Sequence, residues 1–160
     1  MKLMKIAVAA LLAANIGTTH AKAQTKRNIT HIIVHCTATP RGRHVTVDDV
    51  DRWHRARGFD GIGYHYLVYL DGSVHIGRAE ERVGAHCLGH NATSIGVCYV
   101  GGLTADMKPA DTRTDAQRRS LQQLLAELKQ RYKQAVIVSH SDYANKSCPC
   151  YDATSEYSAM

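Results

Sequence analysis

The sequence predicts a single α/β domain with a central mixed β-sheet flanked by helices, and three observations carry that prediction. Stretches 29–37, 94–100 and 135–139 are β-branched and nearly continuous in apolar character, the pattern of strands buried on both faces. Between them lie two helix-period stripes: Val47, Val50 and Trp53, then Leu121, Leu124, Leu125, Leu128 and Tyr132. Strands that alternate with helices favour a three-layer arrangement around one sheet.

Along the chain, Ile29 to Thr37 reads as the first buried strand, with His35 near its C-terminal end. Pro40 to His44 is a basic loop. Thr46-Val47-Asp48-Asp49 has the N-cap and early acids of a helix, and Gly58 is placed to end it. Gly63 to Leu70 and Ser73 to Gly77 flank Asp71-Gly72, a pair suited to a two-residue hairpin turn. Alternation puts Tyr64, Tyr66, Val68 and Leu70 on one face and His65, Leu67 and Tyr69 on the other. A loop over Gly84 to Asn91 leads to the strand Ser94 to Val100. Thr114-Asp115-Ala116-Gln117 has capping-box spacing and opens the longest helix. Ala135 to Ser139 is a short buried strand ending at His140.

The first 23 residues differ from the rest. Lys2 and Lys5, the apolar run Ile6 to Ala14 and the closing Ala21-Lys22-Ala23 read as a secretory signal peptide cleaved after Ala23. The apolar run is too short for a membrane-spanning helix, which needs about 20 residues. Residues 24–160 then form the one domain, exported to the periplasm or beyond the cell, without a stable membrane anchor. Loss of the leader's three lysines brings the formal charge from +6 to +3. A mildly basic protein suits an anionic polymer, and the absence of long Lys/Arg runs or a basic-aromatic stripe argues against nucleic acid.

All five cysteines lie beyond the leader, and an odd number in an exported protein leaves at least one unpaired or bound to something else. His35 and His140 each end a predicted buried strand, and Cys148 follows eight residues after His140. Strand ends in an open α/β sheet converge on one edge. Two imidazoles and a thiolate are good zinc ligands, and three protein ligands leave the fourth position open. Taken singly, a histidine at a strand end is more often a structural hydrogen-bonding residue than a ligand, and Cys148 suits a disulfide equally.

The surrounding motifs decide between these. In order they are Val34-His35-Cys36-Thr37-Ala38-Thr39, Trp53-His54 with Arg57-Gly58-Phe59, Ile62-Gly63-Tyr64-His65-Tyr66, Asp71-Gly72-Ser73-Val74 and Gly77-Arg78. Val83-Gly84-Ala85-His86, Asn91 with Ser94-Ile95-Gly96-Val97, Gly101-Gly102 and Lys146-Ser147-Cys148-Pro149 follow. The ordered set, spanning 29–152, resembles the zinc-dependent N-acetylmuramoyl-L-alanine amidase family, which includes the phage lysozyme-type amidases and the peptidoglycan recognition proteins.

The resemblance implies that fold, one Zn2+ held by His35, His140 and Cys148, and hydrolysis of the amide between N-acetylmuramic acid and L-alanine in peptidoglycan or muropeptides. It implies catalytic roles for Tyr64, orienting water and assisting proton transfer, and for Lys146, stabilising the oxyanion; His86 falls at a substrate-contact position. Tyr64 read by itself is equally a core tyrosine, and Lys146 a solvated loop charge. The rival readings are a non-catalytic peptidoglycan-binding protein on the same scaffold and a zinc peptidase acting within the stem peptide. A monomer is expected.

Four points stay open on sequence. Cys150, two residues from the proposed ligand, can compete for zinc or pair with Cys36, Cys87 or Cys98. His86, Cys87 and His90 are a weaker candidate for a second metal site. His65 suits a structural hydrogen bond, and His54 with Trp53 suits helix-to-sheet packing. Asp152 is either a partner of a ligand histidine or an acid of a last helical turn.

Overall fold

The computed structural model describes residues 27–160. The expected leader and its cleavage site lie outside the described residues. Strand β1 (His31–Cys36) is an interior strand of a five-stranded sheet ordered β4-β3-β5-β1-β7, next to the edge strand β7. Its neighbours β5 (Ser94–Tyr99) and β7 (Val136–Ser139) are both parallel to it, which explains why these three segments carry no polar alternation. Strand β3 (Tyr66–Val68) joins β5 in parallel, and β4 (Val74–Ile76) closes that edge as its antiparallel hairpin partner. A two-stranded ribbon, β2 (Thr39–Pro40) with β6 (Gly102–Leu103), adds a piece that the sequence pattern did not indicate.

Helix α1 (Val47–Ala56) starts at the expected Thr46, whose side chain accepts from the Asp49 amide while Asp49 returns the bond. Helix α2 (Asp115–Arg131) starts at Thr114 with the same reciprocal box through Gln117. Gln117 is fully buried because its Nε2 also donates to the carbonyls of Val68 and Val100, tying α2 to the ends of β3 and β5. The α2 stripe packs on Ile32, Val34 and Cys36 of β1 and on Ile95, Val97 and Tyr99 of β5. The opposite face of the sheet carries Leu67 and Cys98, covered by Val50 and Ile62. Ile33, Cys87 and Val138 form a separate small cluster. A short helix α3 (Ala153–Glu156) packs against β7, and Asp152 caps it by accepting from the Ser155 amide and hydroxyl. Asp152 is therefore an end-of-helix acid, which settles the alternative left open above.

Two expectations need correction. The hairpin turn is three residues long, not two: Tyr69 donates to Ser73 O and Gly72 donates back to Tyr69 O, with Gly72 at φ +86°. Leu70 consequently sits in the turn instead of on a strand face. Tyr64 does not share the face of Tyr66 and Val68; it packs with Leu67 on the α1 side. Alternation fails there because the chain before His65 has left the sheet. Gly63 donates to His54 Nδ1 and accepts from the Ala85 amide, and a side chain at Gly63 would lie 2.0 Å from Ala85 O.

Arg27, in the polar lead-in, holds the loop over 80–94 in place. Its guanidinium donates to the carbonyls of Glu80, Arg82, Asn91, Ala92 and Ser94 at 2.6–3.2 Å. Arg27→Ala is expected to cost about 2–4 kcal/mol, since several carbonyls lose a charged donor together. Urea unfolding checks this, and an unchanged midpoint would show that water replaces the guanidinium without loss.

Candidate metal centre

His35 is the fifth of six residues in β1, and alternation turns its ring to the α1 side of the sheet beside Cys98 and Leu67. His140 begins the 3-10 turn that follows β7, so the parallel register of β1 and β7, which pairs Val34 with Ser139, brings the two imidazoles side by side. Their ring centroids are 4.5 Å apart. The Ser139 hydroxyl accepts from the Ala153 amide, anchoring α3 directly behind His140.

Cys148 arrives from the loop after His140, closed by the Ser141 amide donating to Cys148 O at 2.7 Å. Its Sγ lies 3.8 Å from His35 Nδ1 and accepts from the Cys36 amide at 3.3 Å. The ligand atoms of His35, His140 and Cys148 all fall within 4.8 Å of one another. Tetrahedral zinc with bonds of about 2.0–2.3 Å sets its ligands roughly 3.3–3.8 Å apart, so the set needs only a small closure to grip the ion.

The protonation states suit a metal. Burial, then the neighbouring His86 and His140, holds the His35 pKa well below the ordinary histidine value, and burial with the Lys146 charge lowers that of His140. Hydrogen bonding from Cys36 lowers the Cys148 thiol pKa. Neutral imidazoles and an acidified thiol are the forms that bind zinc.

His35 Nε2 lies 3.0 Å from His86 Nδ1, and His86 Nε2 lies 3.4 Å from the Ser94 hydroxyl, which donates to His90 O. Donor counting runs one way along this chain. With Nδ1 of His35 facing the metal ligands, Nε2–H donates to His86 Nδ1, and His86 Nε2–H points to Ser94. The His86 ring is clamped between two glycines: a Cβ at Gly84 would lie 2.5 Å from it and one at Gly96 2.7 Å. Gly96→Ala is expected to push His86 off His35 and weaken zinc binding about 10- to 100-fold, the usual effect of losing a ligand's hydrogen-bond partner. Competition with a chelator measures this, and wild-type affinity in a folded variant would overturn it.

Tyr64 stands beside the cluster, its ring centroid 5.1 Å from that of His35 and 5.2 Å from that of His54. Burial pushes its hydroxyl pKa well above the ordinary tyrosine value, so the phenol is neutral. Lys146 lies in the exposed loop before Cys148, and among the described residues no ion pair holds it. His90 is not gathered with His86 and Cys87. It packs against Tyr143, with ring centroids 3.9 Å apart and planes tilted by 33°, and the second metal cluster considered on sequence does not form among the described residues. Cys150 is also outside the metal cluster, its Sγ lying against Cys36.

His54 and His65 behave as structural residues. His54 Nδ1 accepts from the Gly63 amide, and His65 Nδ1 accepts from the Gly96 amide, so His65 Nε2–H donates to Arg82 O. Burial lowers both pKa values to about 4. The unfolded chain therefore takes up protons below about pH 6.5 that these folded histidines refuse, so stability falls as pH drops from about 6.5 toward 4. The limit is about 3 kcal/mol for each histidine. His35, His86 and His140 of the metal-free protein act in the same direction. Urea midpoints of the apo protein between pH 7 and pH 5 should decline steadily; a flat profile would contradict the buried-neutral assignment.

Known proteins resemble this chain in sequence and in fold. The sequence profile of the family described as N-acetylmuramoyl-L-alanine amidase matches residues 25–151. An endolysin of Klebsiella phage KP32 is 45% identical over 129 residues, covering 80% of this chain and 85% of the relative. An endolysin of Escherichia phage T7 is 42% identical over 121 residues, covering 76% and 80%. Among solved structures, the N-acetylmuramoyl-L-alanine amidase LysC from Clostridium intestinale URNW superposes with a TM-score of 0.69 at 29% identity, covering 81% of this chain and 82% of its own. Drosophila PGRP-LB superposes equally well, TM-score 0.69, at 20% identity with 86% and 84% covered, a likeness of fold alone. With its sheet, its ordered motifs and a gathered His-His-Cys cluster, the chain belongs to the N-acetylmuramoyl-L-alanine amidase family.

Proposed function

We propose that this chain hydrolyses the amide bond between N-acetylmuramic acid and L-alanine in peptidoglycan or its soluble fragments, using one zinc ion held by His35, His140 and Cys148. The observation that carries the reading is the complete ligand set, two buried histidines and a half-buried cysteine contributed from two strand ends and a loop. Family membership and the phage endolysin relatives support the peptidoglycan amide as substrate. A non-catalytic binding protein would have no need of three converging ligands and a paired orienting histidine.

Zinc bound there would lower the pKa of a water molecule toward 7 and polarise the scissile carbonyl. The chain's own residues supply the rest. His86 holds His35 in the tautomer that leaves Nδ1 free, and the residue is only half-buried, which leaves it surface for contact with substrate. Tyr64, neutral and beside His35, donates its hydroxyl proton as a hydrogen bond and orients the attacking water. Lys146 brings a positive charge to the side of the cluster where the oxyanion develops.

We further place the active protein outside the cytoplasm on the strength of the leader pattern in residues 1–23, and propose that it acts as a monomer. No helix of the described residues is long and apolar enough to cross a membrane. Digestion of purified peptidoglycan followed by mass spectrometry tests the function. Free stem peptides with an L-alanine N-terminus are expected; shortened stems or cut glycan chains would overturn it, and retention on the wall without cleavage would favour the binding protein.

A further inference from the structure

Five cysteines allow many pairings on paper, and the fold brings two of them together beside the ligand Cys148 but outside the His-His-Cys set. Cys36 is the last residue of β1, so its side chain turns from the His35 face into the layer beneath α2. Cys150 reaches the same place from the loop that carries Cys148. The two Sγ atoms are 3.7 Å apart. Two local features hold them there. Cys150 has φ +70°, a left-handed conformation uncommon outside glycine, which bends its thiol inward. Gly102, at φ +101°, leaves the space: a Cβ there would lie 2.4 Å from Cys36 Sγ and 3.4 Å from Cys150 Sγ. Cys87 and Cys98 are buried in two other clusters.

We propose that Cys36 and Cys150 are a disulfide-forming pair, a modification site that an external disulfide oxidises while Cys148 remains with the metal. Cys150 is only partly buried and so meets the oxidant first. Its thiolate attacks oxidised glutathione, one glutathione leaves as a thiolate, and a mixed disulfide forms on Cys150. The Cys36 thiolate then attacks the Cys150 sulfur and displaces the second glutathione. The two protons lost by the cysteines end on the two glutathione thiols, so two electrons pass from the protein to the oxidant. The bridge ties the loop between His140 and Cys150 to the end of β1, and it removes the second thiol that can compete with Cys148 for zinc.

The test uses the zinc-loaded full chain treated with a stoichiometric amount of oxidised glutathione, then denatured without reductant. Wild-type protein is expected to lose two hydrogens in intact mass and to retain three titratable thiols of its five. Cys87→Ser and Cys98→Ser should form the same bridge, whereas Cys36→Ser and Cys150→Ser should not. Peptide mapping should join the segment holding Cys36 to the C-terminal segment, with fragmentation at Pro149 placing the link on Cys150. Reductant should lower the melting temperature of oxidised wild type and leave Cys150→Ser unchanged. Five free thiols after oxidation, or a bridge that uses Cys148, would overturn the proposal. If Cys36→Ser fails to fold, the wild-type peptide map decides the matter alone. Hydrolytic activity is not the readout, so failure here would leave the amidase reading intact.

Discussion

Removing the metal with a chelator, or replacing His35 by alanine, is expected to lower turnover on peptidoglycan by at least about a thousandfold while the protein stays folded. A Lewis acid at the scissile carbonyl supplies several kcal/mol of transition-state stabilisation, and about 4 kcal/mol corresponds to that factor. The fold should persist because the sheet and the α2 layer bury their apolar surface independently of the ligand atoms. Readdition of Zn2+ should restore the chelated wild type and leave His35→Ala inactive. The cysteine ligand has its own test. Cys148 Sγ faces His35 Nδ1, whereas Cys150 Sγ lies against Cys36. Cys148→Ser should therefore lose zinc and activity, and Cys150→Ser should keep both under reducing conditions. Metal analysis that gave the reverse would move the ligand by two residues; full activity in metal-free protein would refute the zinc mechanism.

The parts of this site that could be read from the sequence are those fixed by strand periodicity. His35 and His140 were placed at strand ends because β1 and β7 carry unbroken apolar runs, and a parallel register makes their ends adjacent. Both long helices were legible because Thr46 and Thr114 each carry a reciprocal partner three residues on. What alternation could not show was the path of the chain outside the sheet. Tyr64 changes face because Gly63 is drawn against Ala85 and His54, contacts between loops that no period encodes. The support of His35 was equally hidden. Gly84 and Gly96 are 12 residues apart, yet both give way to one imidazole, and only the packed loop reveals this. Their signal in the sequence was a glycine near a histidine and a glycine inside a strand, where close approach of another group is the usual reason. Arg27 gave no such signal, since its carbonyl partners come from a loop more than 50 residues away.

Tyr64→Phe and Lys146→Ala are expected to lower turnover about 10²- to 10³-fold each, without loss of zinc or of stability. The magnitude is that of removing one donor aimed at a developing charge or one proton-transfer aid. Stability should hold for Lys146 because its side chain is exposed and, among the described residues, in no ion pair. It should hold for Tyr64 because phenylalanine keeps the ring against His35 and His54. The two variants differ in what else they change. The Tyr64 hydroxyl is held in its neutral form by burial, so it donates a hydrogen bond throughout the neutral range, and its loss should lower the rate by a constant factor between pH 6 and pH 9. A pH-dependent difference between wild type and Tyr64→Phe in that range would instead mean that the phenol ionises during turnover. Lys146 acts by charge, so Lys146→Arg should recover part of the rate, and added salt should affect wild type more than Lys146→Ala. Lys146→Ala turning over at the wild-type rate would return this lysine to a solvated loop charge and leave oxyanion stabilisation to the metal alone.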